Sequence, residues 1–131
     1  MIEEIEPTHT LYAIYLKVPY EQEIEIGKLG SFLFQEGMYI YVGSAKRNIT
    51  ARIERHKKIE KKLKWHFDYL RPFGQITRII TYDGAIGECV LAEKIRKEVG
   101  GSFPVRKFGS SDCRCYSHLI YVSSKIKKAT D

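Results

Sequence analysis

The sequence predicts an α+β fold, in which a small central and mainly antiparallel β-sheet is flanked by helices. Short apolar runs rich in β-branched and aromatic residues are bounded by Pro or Gly, which is typical of strands. Two other stretches repeat apolar residues at helical spacing. The chain has 131 residues, 44% of them hydrophobic, which is enough for one core. We expect a single domain at 10–123, a flexible acidic leader at 1–9 and a basic flexible tail at 124–131.

Four apolar runs are the expected strands, and a less regular segment joins the first two. In that segment Ile24 and Ile26 alternate with glutamates, which indicates a half-exposed strand within a hairpin or meander. The four runs are Leu11 to Val18, Met38 to Val42, Gln75 to Tyr82 and Leu119 to Val122.

The helical period first appears after Asn48, which is a plausible N-cap. Apolar residues and one histidine recur at helical spacing, so we predict a basic amphipathic helix from Asn48 to about Lys64. A second helix is predicted from about Ala85 to Val99, and Gly100 should end it. The side chains on the apolar face of the first helix are Ile49, Ile53, His56, Ile59 and Leu63.

Charge is distributed unevenly along the chain, whose formal net charge is +6. Residues 1–27 have six acidic side chains and one basic, whereas 44–78 have eleven basic and three acidic. The basic segment is suited to a polyanion such as nucleic acid, although a basic stretch can also be a solvated helix face. No apolar run is long enough to span a bilayer and the N-terminus does not resemble a signal peptide, so we expect a cytoplasmic protein without membrane contact.

One run of residues points to a family. Tyr41-Val42-Gly43-Ser44-Ala45 is followed by Arg52 and His56, and it is preceded by Thr10-Leu11-Tyr12. This pattern resembles the GIY-YIG nucleases, which share the fold of UvrC-type repair nucleases, with Thr10 in place of the first glycine. The extra residues at 19–36 are expected to be an insertion at the hairpin.

A stand-alone branch of that family, of unassigned function and related to domains sometimes fused to endonuclease III, is more similar still. Its segments correspond here to Trp65 through Leu70, Glu88-Cys89, and Phe108 through Leu119. The resemblance then covers most of residues 10–122.

The resemblance implies an endonuclease that hydrolyses DNA phosphodiester bonds in repair or DNA processing. In this family a tyrosine acts as base or positions water, an arginine binds phosphate, and one glutamate holds a single Mg²⁺ or Mn²⁺. The corresponding catalytic residues are Tyr12, Tyr41, Arg52, His56 and Glu88, and it stays open which tyrosine accepts the proton. Glu88 is preferred over Glu93 as metal ligand because it begins the apolar stripe of the second helix.

DNA is the expected partner, with RNA left open, and a separate protein is expected to supply specificity because the chain has no room for a targeting domain. A catalytically inactive nucleic-acid-binding module of the same fold is the alternative function. The expected nucleic-acid contacts are Gly43, Ser44, Lys46, Arg47, Arg55, Lys58 and Lys62.

Two further clusters have no assigned role. Cys113, Cys115 and His118 could bind zinc, but C-x-C-x-x-H is not the usual ligand spacing. We therefore favour a loop packed beside the active site, with Ser110, Ser111 and Asp112 bonded to its backbone. Trp65, His66 and Asp68 are either a network near the site or a polar helix cap.

Overall fold

The structure is a computed structural model that describes residues 1–111 and 113–124. Asp112 and all but the first residue of the predicted basic tail lie outside the described residues. The α+β prediction is confirmed. The elements are β1 (Ile2–Glu4), β2 (Leu11–Val18), β3 (Gln22–Glu25), β4 (Ser31–Phe34), β5 (Gly37–Ser44), α1 (Ile49–Lys57), α2 (His66–Leu70), β6 (Gln75–Tyr82), α3 (Glu88–Val99) and β7 (Leu119–Val122).

The main sheet has the strand order β1-β6-β2-β5-β7, and all of its neighbours are antiparallel except β1 and β6. Strand β2 lies at the centre, and its successive side chains point to opposite faces. Tyr12 and Ile14 pack into a core with α1 and α2, whereas Leu11 and Ala13 pack into a second core with α3. Because both faces are covered, β2 is a nearly continuous apolar run.

The segment between β2 and β5 forms the small hairpin of β3 and β4, which is a separate two-stranded sheet. Ile24, Ile26 and Phe34 are buried in the same core as Tyr12. The extra residues therefore extend the core instead of forming a loop on the surface.

The predicted acidic leader is wrong for Ile2–Glu4. These residues form β1 and pair in parallel with β6, with Glu3 opposite Ile79. The Glu3 carboxylate also pairs with Lys57 Nζ at the end of α1, at 2.5 Å. The side chains of β1 are exposed, so the sequence lacks the apolar alternation by which a strand is recognised.

Helix α1 is shorter than predicted and ends at Lys57. Ile59 and Leu63, whose spacing suggested a longer helix, are 52% and 47% exposed. Lys61 Nζ donates to the carbonyl oxygens of Arg55 and His56, at 3.0 and 3.1 Å. A side chain thus satisfies carbonyl groups that a continuing helix would have bonded.

Helix α3 ends as predicted but begins three residues later, at Glu88, because a short 3₁₀ turn occupies residues 84–86. Gly100 has the left-handed backbone (φ 65°) of a C-terminal cap. Among the described residues, no helix has both the length and the apolar character that crossing a membrane requires.

Candidate active site

One pocket of about 270 Å³ opens where β2 and β5 approach the starts of α1 and α3. It is mostly polar, and it brings together residues from distant parts of the chain. Its described lining comprises Tyr12, Tyr41, Gly43, Ser44, Arg52, Lys64, Trp65, His66, Glu88, Gly109, Ser111 and Cys113. Four of the five predicted catalytic side chains and two of the seven predicted nucleic-acid contacts, Gly43 and Ser44, therefore line the same space.

Tyr12 reaches the pocket across the neighbouring strand. It lies directly opposite Gly43 in the β2–β5 ladder, and a β-carbon at Gly43 would lie 2.5 Å from the Tyr12 hydroxyl oxygen. The glycine thus makes room for the ring. Burial, opposed by Arg52, raises the pKa of Tyr12 well above its usual value, so the phenol is protonated at neutral pH.

His56, predicted to be catalytic, lies behind Tyr12 and does not line the described pocket. Its Nε2 is 2.8 Å from the Tyr12 hydroxyl, and its Nδ1 is 3.9 Å from Asp68 Oδ1. The nearby carboxylate favours a hydrogen on Nδ1, which leaves Nε2 to accept the phenol hydrogen. Burial lowers the pKa of His56 to about 3, so the ring is neutral at neutral pH.

Asp68 organises the segment between α1 and α2. Its fully buried carboxylate accepts two hydrogen bonds from the Arg55 guanidinium, both at 3.1 Å, and two from the backbone N–H groups of Lys64 and Trp65. Burial alone would raise the pKa of Asp68, but these donors hold it below its usual value. Asp68 caps α2, as one of the two interpretations predicted, and its carboxylate also lies 3.9 Å from His56 Nδ1.

Trp65 lies between the two arginines of α1. The guanidinium carbons of Arg52 and Arg55 are each 4.5 Å from its ring centroid, and Lys64 Nζ is 4.6 Å away. Such contacts restrain cations on an aromatic face. Arg52 also donates to the carbonyl oxygen of Ser44, at 2.9 Å, so its guanidinium is fixed at the pocket.

Glu88 enters the pocket from the first position of α3. One carboxylate oxygen accepts a hydrogen bond from the Ser44 hydroxyl, and the other lies 3.2 Å from His118 Nδ1. The His118 ring holds the pKa of Glu88 below its usual value despite desolvation. Glu93 instead pairs with Arg96 away from the pocket.

Tyr41 is almost completely buried and stacks on Phe67, with ring centroids 4.9 Å apart. Burial raises its pKa well above the usual value. Tyr41 also lines the pocket, whereas the Tyr12 hydroxyl is hydrogen-bonded to His56. This hydrogen bond makes Tyr12 the better placed of the two tyrosines to orient a water molecule or accept its proton.

The predicted nucleic-acid contacts divide into three groups. Gly43 and Ser44 line the pocket. Arg55 was predicted to contact nucleic acid, but its guanidinium is already bonded to the Asp68 carboxylate and packed on the Trp65 ring. The remaining four are exposed to solvent and do not line the pocket: Lys46, Arg47, Lys58 and Lys62.

Two residues near the site were not assigned to it from the sequence. Lys64 reaches the pocket through the irregular segment that replaces the end of the predicted helix, next to Trp65, and Cys89 joins the predicted cysteine cluster. In the structure Cys89 forms a disulfide with Cys115, with Cys113 and His118 alongside. The only sequence signal for Cys89 is its position after Glu88.

Acid is expected to destabilise the protein through His56. The folded pKa of about 3 lies below the unfolded value of 6.5, so the unfolded chain binds the proton more readily. The stabilisation is complete above about pH 6.5 and is lost as the pH falls towards 3, by at most about 1.4 kcal/mol per pH unit. Urea unfolding at pH 7, 5 and 4 measures it. His56→Gln should show a shallower decline, and equal slopes would contradict the assignment.

Comparison with known proteins gives one match. The family model described as Domain of unknown function DUF123 matches residues 11–131. No curated protein and no solved structure matches the chain. Because the family match covers nearly the whole sequence and every strand of the main sheet except β1, the chain belongs to the DUF123 family.

Proposed function

We propose that the protein is a divalent-metal-dependent endonuclease that hydrolyses DNA phosphodiester bonds. The observation on which this rests is that Tyr12, Arg52 and Glu88 meet in one polar pocket. The resemblance of Tyr41 through Ala45 and the following Arg52 to GIY-YIG nucleases supports the same chemistry. Phosphodiester hydrolysis needs a positioned water, cations for the developing charge and commonly a metal-binding carboxylate.

Arg52 is the phosphate-binding residue in this proposal. Its guanidinium is held by the Ser44 carbonyl and the Trp65 ring, so it is already oriented before substrate arrives. A fixed cation stabilises developing negative charge without reorganising during the reaction. Lys64, on the same side of the pocket, adds a second positive charge.

Tyr12 positions the attacking water. Its hydrogen is donated to His56 Nε2, so a lone pair of the phenol oxygen is available to accept a hydrogen from water in the pocket. As water attacks phosphorus, the P–O bond to the leaving oxygen breaks, and the proton that the water releases is taken up by that oxygen while Tyr12, bonded to His56, holds the water in line. His56 does not touch the substrate in this scheme and is a positioning residue.

Glu88 is the residue that would hold Mg²⁺ or Mn²⁺. It is the only carboxylate among the described residues of the pocket lining, and its depressed pKa keeps it ionised. A carboxylate with a neighbouring hydroxyl, Ser44, is a hard oxygen donor set that fits these ions. When bound, the ion would neutralise charge on the phosphate oxygens.

Four exposed basic residues are the proposed contacts to the DNA backbone, which position DNA without reading its sequence. They follow the β5 motif and the end of α1, on both sides of Arg52. Binding should therefore weaken steeply as salt rises. These residues are Lys46, Arg47, Lys58 and Lys62.

Incubation with single-stranded, duplex, flapped and branched DNA tests the proposal in the presence of Mg²⁺ or Mn²⁺. We expect cleavage of at least one substrate, and Glu88→Gln should reduce the rate by at least about 100-fold while DNA binding persists. Glu93→Gln is the matched control, since that glutamate lies on the same helix outside the pocket, and it should retain the rate.

Intact DNA in every case, with wild type and Glu88→Gln indistinguishable, would refute the nuclease proposal. Salt-sensitive binding without any cleavage would instead support the non-catalytic nucleic-acid-binding module.

A further inference from the structure

Three cysteines and a histidine converge immediately beside the pocket. Cys89 is the second residue of α3, and the other three belong to the loop before β7. One ligand atom from each residue lies within 4.8 Å of all the others. The four residues, here called the thiol cluster, are Cys89, Cys113, Cys115 and His118.

The orientation of His118 is the most informative feature of the thiol cluster. The ring is buried, and its Nε2 lies 3.0 Å from Cys115 Sγ and 3.5 Å from Cys89 Sγ. Its Nδ1 lies 3.2 Å from Glu88 Oε2. An imidazole with one nitrogen facing ligand atoms and the other facing a carboxylate is the arrangement that zinc-bound histidines adopt.

The ligand atoms are close enough to surround one ion once the Cys89–Cys115 disulfide is reduced and its two sulfurs move apart. Zinc bonds sulfur at about 2.3 Å and nitrogen at about 2.0–2.1 Å, so tetrahedral ligand atoms lie about 3.6–3.8 Å apart. The close C-x-C spacing is accommodated because the loop turns tightly, with the Cys113 N–H bonded to the Ser110 carbonyl at 3.0 Å.

Nearby positive groups offset the charge that three thiolates would bring. Cys89 lies in the first turn of a twelve-residue helix, whose N-terminus stabilises a thiolate. Lys107 Nζ donates to the Cys113 carbonyl at 2.7 Å, which places an ammonium beside the loop. A Cys₃His site with a net charge of −1 is thus partly neutralised.

We propose that Cys89, Cys113, Cys115 and His118 bind one structural Zn²⁺ in the reduced protein. Zinc replaces the protons of three thiols, which are released, and His118 coordinates through the lone pair of Nε2, so no electrons are exchanged. The Cys89–Cys115 disulfide of the structure is the competing oxidised form, because bonded sulfurs are not thiolate ligands.

The zinc site has a consequence for Glu88, and this part rests on the proposed function. With zinc on Nε2, the His118 hydrogen is fixed on Nδ1 and faces Glu88 Oε2. The other Glu88 oxygen is already bonded to Ser44. His118 is then a positioning residue, whose Nδ1 hydrogen holds the metal-binding carboxylate of Glu88 in place.

Zinc and cobalt titrations of the reduced, chelator-treated full chain test the site independently of cleavage. We expect one zinc per chain by elemental analysis, a higher Tm, and a cobalt spectrum with tetrahedral d–d bands and thiolate charge transfer. Cys113→Ser should weaken zinc binding at least about tenfold. Arg114→Ala, an exposed residue between two proposed ligands, is the matched control and should bind normally.

Substoichiometric zinc in the reduced wild type, or unchanged binding in Cys113→Ser, would overturn the zinc site. For the second part, His118→Cys should keep one zinc but slow cleavage by about 10-fold or more, since the donor to Glu88 is lost. Full zinc and an unchanged cleavage rate in that variant would refute the positioning role and leave the zinc site intact.

Discussion

Asp68→Ala is expected to lower the free energy of unfolding by about 3–5 kcal/mol, which is typical when one partner of a buried ion pair is removed. The Asp68 carboxylate is fully buried and accepts four hydrogen bonds, two from Arg55 and two from backbone N–H groups. Lys61 Nζ is a further cation, 3.4 Å from Oδ1. The substitution therefore leaves several donors without their acceptor around a fully buried position.

Urea unfolding measures the loss of stability in Asp68→Ala, and Glu93→Ala is the control. Both carboxylates pair with an arginine through two nitrogen atoms, but the Glu93 pair lies at the surface. Exposed pairs contribute little to stability, so Glu93→Ala should change the unfolding midpoint hardly at all. Equal losses in the two variants would contradict the role assigned to Asp68.

Gly43→Ala is expected to reduce the proposed DNA cleavage by at least about 100-fold, because displacing a reacting group by about 1 Å has effects of that size. The new methyl group would lie 2.5 Å from two atoms of the Tyr12 ring and hydroxyl. Tyr12 is held on its other side by His56, so the ring can move only by giving up that hydrogen bond. The overpacking should also destabilise the fold by about 1–3 kcal/mol.

A double-mutant cycle separates this clash from a general backbone effect. Unfolding is measured for Gly43→Ala, for Tyr12→Leu, and for the two combined. If the contact with Tyr12 is the cause, the destabilisation by alanine should be much smaller in the leucine background. Additive effects would show that Gly43 is needed for another reason.

Strands were predictable because their signals are local. The bounds of β2, β6 and β7 coincide with the predicted apolar runs, of which the first is followed by Pro19 and the second by Asp83-Gly84. Helix α1 was predicted too long because Ile59 and Leu63 continue its apolar spacing, whereas its end depends on Lys61 and Asp68. Contacts of that kind involve residues brought together by the fold, and no periodicity reports them.

At the candidate site, too, residues in a local motif were predictable, whereas contacts between distant residues were not. The motif from Tyr41 to Ala45, with Arg52 and Glu88, marked several of the residues that line the pocket. The motif could not reveal that His56 lies behind Tyr12, which depends on how α1 packs against β2, or that Asp68 engages Arg55, which depends on how the segment after Lys57 folds back. Cys89 was likewise separated from its partner Cys115 by 26 residues.

Strand β1 belongs to the main sheet but lies before residue 11, where the match to the family model begins. The family match begins at residue 11, but Ile2–Glu4 covers the outer edge of β6, and Glu3 links that edge to the end of α1. A chain shortened to the family boundary would leave unpaired the N–H and C=O groups with which Arg78, Ile79 and Ile80 of β6 meet β1. Because an unpaired strand edge can template intermolecular β-pairing, we expect the shortened chain to aggregate more readily than the full chain.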